Sequence, residues 1–455
     1  MYSLAAVFAA VALAPLLATW SKRFLTIPLP VVEMVLGMLI GPAALGLVQV
    51  EPGGLLQVMG QMGISAILFI AGYELEYRRI SRREFGWASG GWILSIVLAV
   101  AAGIGVAFAF NAGGLEITTD NTVSLITAGV FIGIALTSTA LSTSLPALRD
   151  ARETTTKYGR AIIASGTVGQ LAPLLAISVV FGGRNVWWSA GALLIFLGLL
   201  LLAVRASRHG LPSWMRKVVT ITMHTSGHFA IRLVVAIVAI LAALSINVFG
   251  INMLVGAFAA GMLVRHLMGN VEREERILIE HKFQSLAFGL LTPLFFISNG
   301  VTFDIPGLIA EPLALVLVPV FMLIMLLARG FPGSLVLPRG SSGRDRFAAM
   351  FWTSLGLAVI VVIVNVAIDA GALTPVIGSA MVGAGMLSLL SFPTAALAIR
   401  RGRTENDLNP AIIDDHSSDL LTPATGSSAL GYGITVSTAQ AARALRHARV
   451  HDDEA

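Results

Sequence analysis

The chain has 455 residues, of which 56% are hydrophobic and 12% charged, with a mean hydropathy of +0.85. Soluble domains carry about 25% charged residues, so the composition excludes a soluble globular protein and describes one that lies largely within a bilayer. The absence of cysteine excludes disulfides, thiolate metal sites and cysteine nucleophiles, and the net charge of +5 needs no nucleic-acid partner once the placement of the basic residues is followed.

Apolar runs of about 18 to 25 residues read as spanning helices. About thirteen follow one another, near 2–20, 28–48, 57–76, 86–110, 122–146, 158–181, 186–204, 218–246, 250–268, 283–303, 310–331, 346–369 and 374–399. The first run has no basic segment ahead of it and no small-residue cleavage site after it, and Lys22 and Arg23 sit on its far flank. It is expected to be an uncleaved first helix with its N-terminus outside. Lysine and arginine then cluster after odd-numbered runs: Lys22 and Arg23, Arg78 to Arg83, Arg149 to Arg160, Arg205 to Lys217, Arg265 to Lys282, Arg339 to Arg346, and the tail from Arg400. Of the 30 basic residues, Arg184, Arg232 and Arg329 are the exceptions. By the positive-inside rule this alternation places the C-terminus in the cytoplasm and the protein in the cell (inner) membrane, in contact with membrane lipids.

A count of thirteen divides into two six-span units joined by one linking span, and such units are inverted with respect to each other across the membrane. In transporters built this way the site is marked by interrupted helices at corresponding places in the two halves. The fifth run contains GIALTSTALSTSLPAL, with Thr137, Ser138, Thr139, Ser142, Thr143 and Ser144 ahead of Pro146. The twelfth contains FWTSLGLAV, with Thr353, Ser354 and Gly356. Both are expected to be broken, with freed backbone groups satisfied by hydroxyls, by each other or by a water-filled cavity; hydroxyls that only help helices pack are the alternative. The sixth run carries SGTVGQLAPLLA, Ser165 to Ala176, a polar and helix-weakening island without charge. Beyond Arg400 the composition turns polar, and 401–455 reads as a cytoplasmic tail without fixed structure, in which 436–450 forms either a basic helix on the inner leaflet or one exposed to water.

Several segments resemble one family. LPVVEMVLGMLIGPAALGLV, Leu29 to Val48, is similar to the second-helix signature of monovalent cation:proton antiporters, and MGISAILFIAGYELEYRRI, Met62 to Ile80, to their third helix. VGAFAAGMLV, Val255 to Val264, resembles the ninth, and LTPLFFISNGVTFD, Leu291 to Asp304, the tenth. On these motifs the chain resembles the second family of monovalent cation:proton antiporters within the sodium/hydrogen exchanger superfamily. The resemblance implies an all-α polytopic fold of about thirteen helices, two inverted six-helix repeats with crossed broken helices. Within 1–400, helices 1–3 and 8–10 would form a dimerisation unit, helix 7 a linker, and helices 4–6 and 11–13 a moving core. It further implies a homodimeric transporter and no enzyme, without cofactor, exchanging Na+ or K+ for H+ by alternating access.

The resemblance also assigns residues. Thr137, Ser138, Thr139, Gly169, Gln170, Thr353 and Ser354 would line the ion path. Arg329, Glu33 and Glu74 would give electrostatic support, the two glutamates as residues of structural importance near the inner ends of helices 2 and 3. Where the family places a polar residue followed by a carboxylate, about ten positions after a Gly-Arg pair, this chain has Gly169 and Gln170 after Gly159 and Arg160. A carboxylate holds either a cation or a proton; an amide offers a carbonyl oxygen and does not titrate. Gln170 as a helix-packing amide, uncoupled transport, an anion or neutral substrate, proton coupling through Glu33, and a transport-deficient sensor or partner subunit therefore stand beside coupled antiport. A membrane enzyme is disfavoured, because no His, Asp and Glu cluster lies within the spans.

Overall fold

A computed structural model of the protein describes residues 2–21, 27–49, 54–74, 82–119, 124–141, 145, 148, 153–154, 156–180, 186–208, 228–250, 252–268, 273–338 and 340–400. The hydroxyl-bearing residues 142–144 and the tail 401–455 lie outside them. Regular structure among the described residues is helical, as a bilayer requires of a chain whose backbone polar groups must be satisfied within each segment.

The elements are α1 (Tyr2–Ser21), α2 (Leu29–Ile40), α3 (Leu55–Tyr73), α4 (Arg82–Ala112), α5 (Leu125–Leu136), α6 (Lys157–Val180), α7 (Val186–Arg208), α8 (His228–Asn247) and α9 (Met253–Met268). In α10, Arg273–Leu286 continues through a π-helical turn, Ala287–Leu291, into Thr292–Val301. A short helix, Ile305–Ala310, leads to α11, in which Pro312–Ile324 continues through a second π turn, Met325–Gly330, into Phe331–Ser334. The chain ends with α12 (Gly343–Thr353), α13 (Leu357–Asp369) and α14 (Pro375–Arg400). Seven helices among the described residues are long and apolar enough to cross a membrane, or eight when α12 and α13, bent by 45°, count as one span. Helices α2, α5 and α9 are apolar but shorter, and α7 and α8 contain the apolar stretches Trp187–Leu202 and Arg232–Asn247.

Proline accounts for several departures from uninterrupted runs. The run predicted over 28–48 gives a helix only to Ile40, because Gly41-Pro42 ends it. The chain turns back through Gly46 at φ +63°, and Val48 donates its N–H to the Ile40 carbonyl. Each π turn lies just ahead of a proline, Pro293 in α10 and Pro332 in α11. A proline has no N–H for the carbonyl four residues before it, and widening to π geometry rearranges the partners around that gap. The short helix Ile305–Ala310, which hydropathy alone did not mark, is started by Asp304, whose carboxylate accepts from Gly307 N at 2.9 Å.

Two sets of helices emerge from the packing. Helices α1, α2, α3, α8, α9 and α10 pack among themselves, as do α4, α5, α6 and α11 to α14, while α7 touches α6 and α9. In the first set the seams are backbone against backbone. A Cβ on Gly37 of α2 would lie 2.3 Å from the Ile297 carbonyl of α10, and one on Gly300 would lie 2.2 Å from the Met34 carbonyl. Likewise a Cβ on Gly72 of α3 would lie 2.1 Å from the Phe258 carbonyl of α9, and one on Gly261 would lie 2.0 Å from the Phe69 carbonyl. Second on tenth and third on ninth is the reciprocal pairing that two inverted six-span units give.

Candidate ion-translocation site

The sixth helix shows how sequence builds the site. Pro173 leaves the carbonyl of Gly169, four residues earlier, without its intrahelical donor. That carbonyl accepts instead from the backbone N–H of Thr139, at 2.9 Å. Thr139 is free to donate because α5 stops at Leu136, where the Thr137 hydroxyl turns back onto the Ile134 carbonyl at 2.7 Å.

The break after α5 meets the break between α12 and α13. Ser138 Oγ donates to the Gly356 carbonyl at 3.2 Å, Thr139 Oγ1 to the Thr353 carbonyl at 2.6 Å, and the Ala140 N–H to the Leu355 carbonyl. Thr137, Ser138, Thr139, Thr353 and Ser354 are all buried. Each interruption thus supplies the hydrogen bonds that the other lost, which is what lets non-helical backbone persist at membrane depth. The Thr353 hydroxyl is held by its own helix, donating to Ala349 O at 2.9 Å, while Ser354 Oγ reaches the Met325 carbonyl in the π turn of α11 at 3.0 Å.

Arg329, in that same π turn, is fully buried. Its Nε donates to Thr139 Oγ1 at 3.0 Å, and its Nη2 to Ser165 O at 2.7 Å and Ser165 Oγ at 3.2 Å. The side chain can take this seat because residue 169 is glycine: a Cβ there would lie 2.2 Å from Arg329 Nη2 and 2.6 Å from Thr139 Oγ1. A buried guanidinium needs compensating negative potential. Two half-helices, α5 and α12, end here, and a helix C-terminus carries about half a negative elementary charge. The link is direct at α12, where Arg329 bonds Thr139 and Thr139 bonds the terminal carbonyl of Thr353.

Gln170 is 8% exposed and is the polar group on a small, otherwise apolar cavity between the two helix sets. Ala140, Ala358 and Val362 line one wall, and Ile67, Leu68 and Phe295 the other. Polar helix breaks thus cross beside a buried arginine, with a cavity between two sets of helices, and comparison with known proteins supplies the family. The sequence pattern described as "Sodium/hydrogen exchanger, transmembrane" matches residues 8–398. The chain belongs to the sodium/hydrogen exchanger family.

The chain is 25% identical over 365 residues to the putative Na(+)/H(+) antiporter YjbQ of Bacillus subtilis, a match covering 74% of the chain and 53% of the relative. It is 27% identical over 286 residues to the Na(+)/H(+)-K(+) antiporter GerN of Bacillus cereus, covering 60% of the chain and 65% of that protein. The chain thus spans about half the length of YjbQ and just under two thirds of GerN. Among solved structures it matches the sodium proton antiporter MjNhaP1 of Methanocaldococcus jannaschii with a TM-score of 0.63 at 16% identity, covering 88% of this chain and 99% of that one. The expected all-helical antiporter fold is therefore present.

Of the residues marked in the sequence, the fold brings Thr137, Ser138, Thr139, Gly169, Thr353, Ser354 and Arg329 to one crossing, with Gln170 on the adjoining cavity. Glu33 and Glu74 stand on other helices: Glu33 is buried on α2, and Glu74 is exposed at the C-terminal end of α3. Ser165 was missed as a partner of Arg329; its place one turn before Gly169, on the same face of α6, was the available signal.

Proposed function

We propose that this protein exchanges a monovalent cation, sodium or potassium, for protons across the cell membrane by alternating access, as a homodimer. The observation that carries the reading is the mutual pairing of the two helix breaks beside the Gln170 cavity. A carrier must offer polar groups to an ion at membrane depth without leaving backbone unsatisfied, and this arrangement does so with hydroxyls, carbonyls and one carboxamide. The relatives named as antiporters support the same chemistry. Helices α1–α3 and α8–α10, stiffened by their glycine seams, serve as the stationary dimerising unit; α4–α6 and α11–α14 move against it, with α7 as the linker.

In this mechanism the cation, stripped of most of its water, is held by the Gln170 carbonyl oxygen and by hydroxyl and backbone oxygens of the crossing. Arg329 keeps its proton throughout and holds the α5, α6, α11 and α12 segments in one body. Neither Gln170 nor Arg329 titrates in the working range, so the proton travels on another group, and Glu33, a buried carboxylate on α2, is assigned that part. Replacement of Glu33 by Gln is expected to leave cation movement while abolishing the coupled pH change.

The test is flux in proteoliposomes loaded with a sodium or potassium gradient and a pH-sensitive dye, comparing wild type with Gln170→Ala and Gln170→Glu. Wild-type coupled exchange that falls at least about tenfold in Gln170→Ala, equivalent to about 1.4 kcal/mol in the barrier, supports the assignment. Exchange that survives Gln170→Ala undiminished removes Gln170 from the site. Exchange that appears only in Gln170→Glu means that the natural chain does not perform coupled transport.

A further inference from the structure

Two facing carboxamides lie one helical turn beyond residues that line the cavity beside Gln170. Asn299 lies four residues beyond Phe295 on α10, and Asn365 three beyond Val362 on α13, so each sits one turn further along a cavity-lining face. Both turns lead away from the basic helix starts, marked by Arg276 on α10 and by Arg344 and Arg346 on α12. Asn365 Nδ2 donates to Asn299 Oδ1 at 2.8 Å. The Asn299 amide is itself oriented, because its Nδ2 donates to the Phe295 carbonyl at 2.7 Å and leaves Oδ1 turned toward α13.

This bond joins the two helix sets across an interface whose cavity walls are otherwise apolar, and apolar walls slide without directional preference. A second polar link, Asp304 N to Ser379 Oγ at 2.9 Å, lies in the connection after α10, where the chain passes from one set to the other. The asparagine pair therefore stands between the two helix sets, one turn beyond the Gln170 cavity. Asn365 is exposed and Asn299 half-buried, so water replaces the bond when it opens. A neutral amide pair is suited to repeated opening, since its net strength is far below that of a buried ion pair.

We infer that the Asn299–Asn365 hydrogen bond is a latch that closes the Gln170 cavity on the side away from the basic helix ends and that it breaks once in each transport cycle. The inference rests on the alternating-access reading above. Asn299 and Asn365 are positioning residues: they hold the two helix sets in register and do not coordinate the ion.

The natural chain has no cysteine, so a single introduced thiol reports without background. Gln170→Cys is combined with Asn299→Ala/Asn365→Ala, and sealed vesicles are treated from one side or the other with a charged methanethiosulfonate. Loss of the latch is expected to raise the modification rate from its own side by about fivefold, the factor that one such bond is worth, and to leave the rate from the other side unchanged. Equal rates with and without the asparagines overturn the proposal. In a second arm, Asn299→Cys/Asn365→Cys is bridged by a short reducible bifunctional thiol reagent. Exchange is expected to stop on bridging and to return on reduction, and exchange that continues at full bridging also overturns the latch. Should wild type and the reduced double variant exchange neither cation for protons, the functional reading fails, while the labelling rates still decide the latch.

Discussion

At the scale of single residues, Gly169 decides where Arg329 can be. Any side chain there meets the guanidinium at 2.2 Å and the Thr139 hydroxyl at 2.6 Å. Gly169→Ala is therefore expected to expel Arg329 from its bonds to Ser165 and Thr139 and to cost about 2 to 4 kcal/mol, from overpacking and lost charge-assisted hydrogen bonds. The check is a double-mutant cycle on unfolding in detergent: with Arg329→Met already in place, the penalty of Gly169→Ala should fall to roughly half or less. An undiminished penalty would mean that the clash is with something other than the arginine. The types and spacing of these residues were legible in the sequence, because hydroxyl-rich stretches at corresponding places of two halves are rare inside apolar runs. The seat of the arginine was not. That Gly169 is space for a side chain on another helix depends on contacts between residues 160 positions apart, and composition carries no trace of them.

At the scale of elements, proline does more than end helices. Pro173 sits within α6 without breaking it and redirects one carbonyl, that of Gly169, to the helix break opposite. Pro173→Ala restores an intrahelical donor and removes a residue that costs about 3 kcal/mol in a helix interior. The variant is expected to be as stable as wild type or more so, and about tenfold slower in exchange, because Thr139 loses the bond that aligns the crossing. Thermal midpoints measured beside flux decide this, and unchanged turnover would show that the Gly169–Thr139 bond is incidental to transport. The broken fifth and twelfth segments followed from hydroxyl and glycine placement alone. The early end of α2 and the π turns of α10 and α11 were less legible, since hydropathy does not register how a carbonyl freed by proline finds its partner.

At the scale of the whole molecule, the all-helical, multi-span character was legible from hydropathy, and the alternation of basic residues supplied an expected orientation. The sorting of helices into two sets was an expectation of the family resemblance and not of hydropathy, because it depends on which glycines face which backbone. Two glycines test that sorting. Gly261→Ala places a Cβ 2.0 Å from the Phe69 carbonyl, where only backbone could yield, and is expected to lose about 3 kcal/mol. Gly105→Ala in α4 meets nothing within 4 Å and is expected to gain about 0.5 to 1 kcal/mol from helix propensity. Thermal unfolding of the two variants reads the contrast, and similar shifts would contradict the packing.

The reciprocal glycine seams also act as a bearing. Side chains between helices can change rotamer and absorb a displacement, whereas backbone pressed on backbone has no such compliance. Force applied through the seams of α2 on α10 and α3 on α9 passes on undamped. In the mechanism proposed above, displacement would thereby be directed to the face of α3 and α10 that meets the other helix set, where apolar cavity walls and the Asn299–Asn365 amide pair offer little resistance. In the alternating-access mechanism proposed above, the freedom of the moving half would be set by the stiffness of the half that stays still.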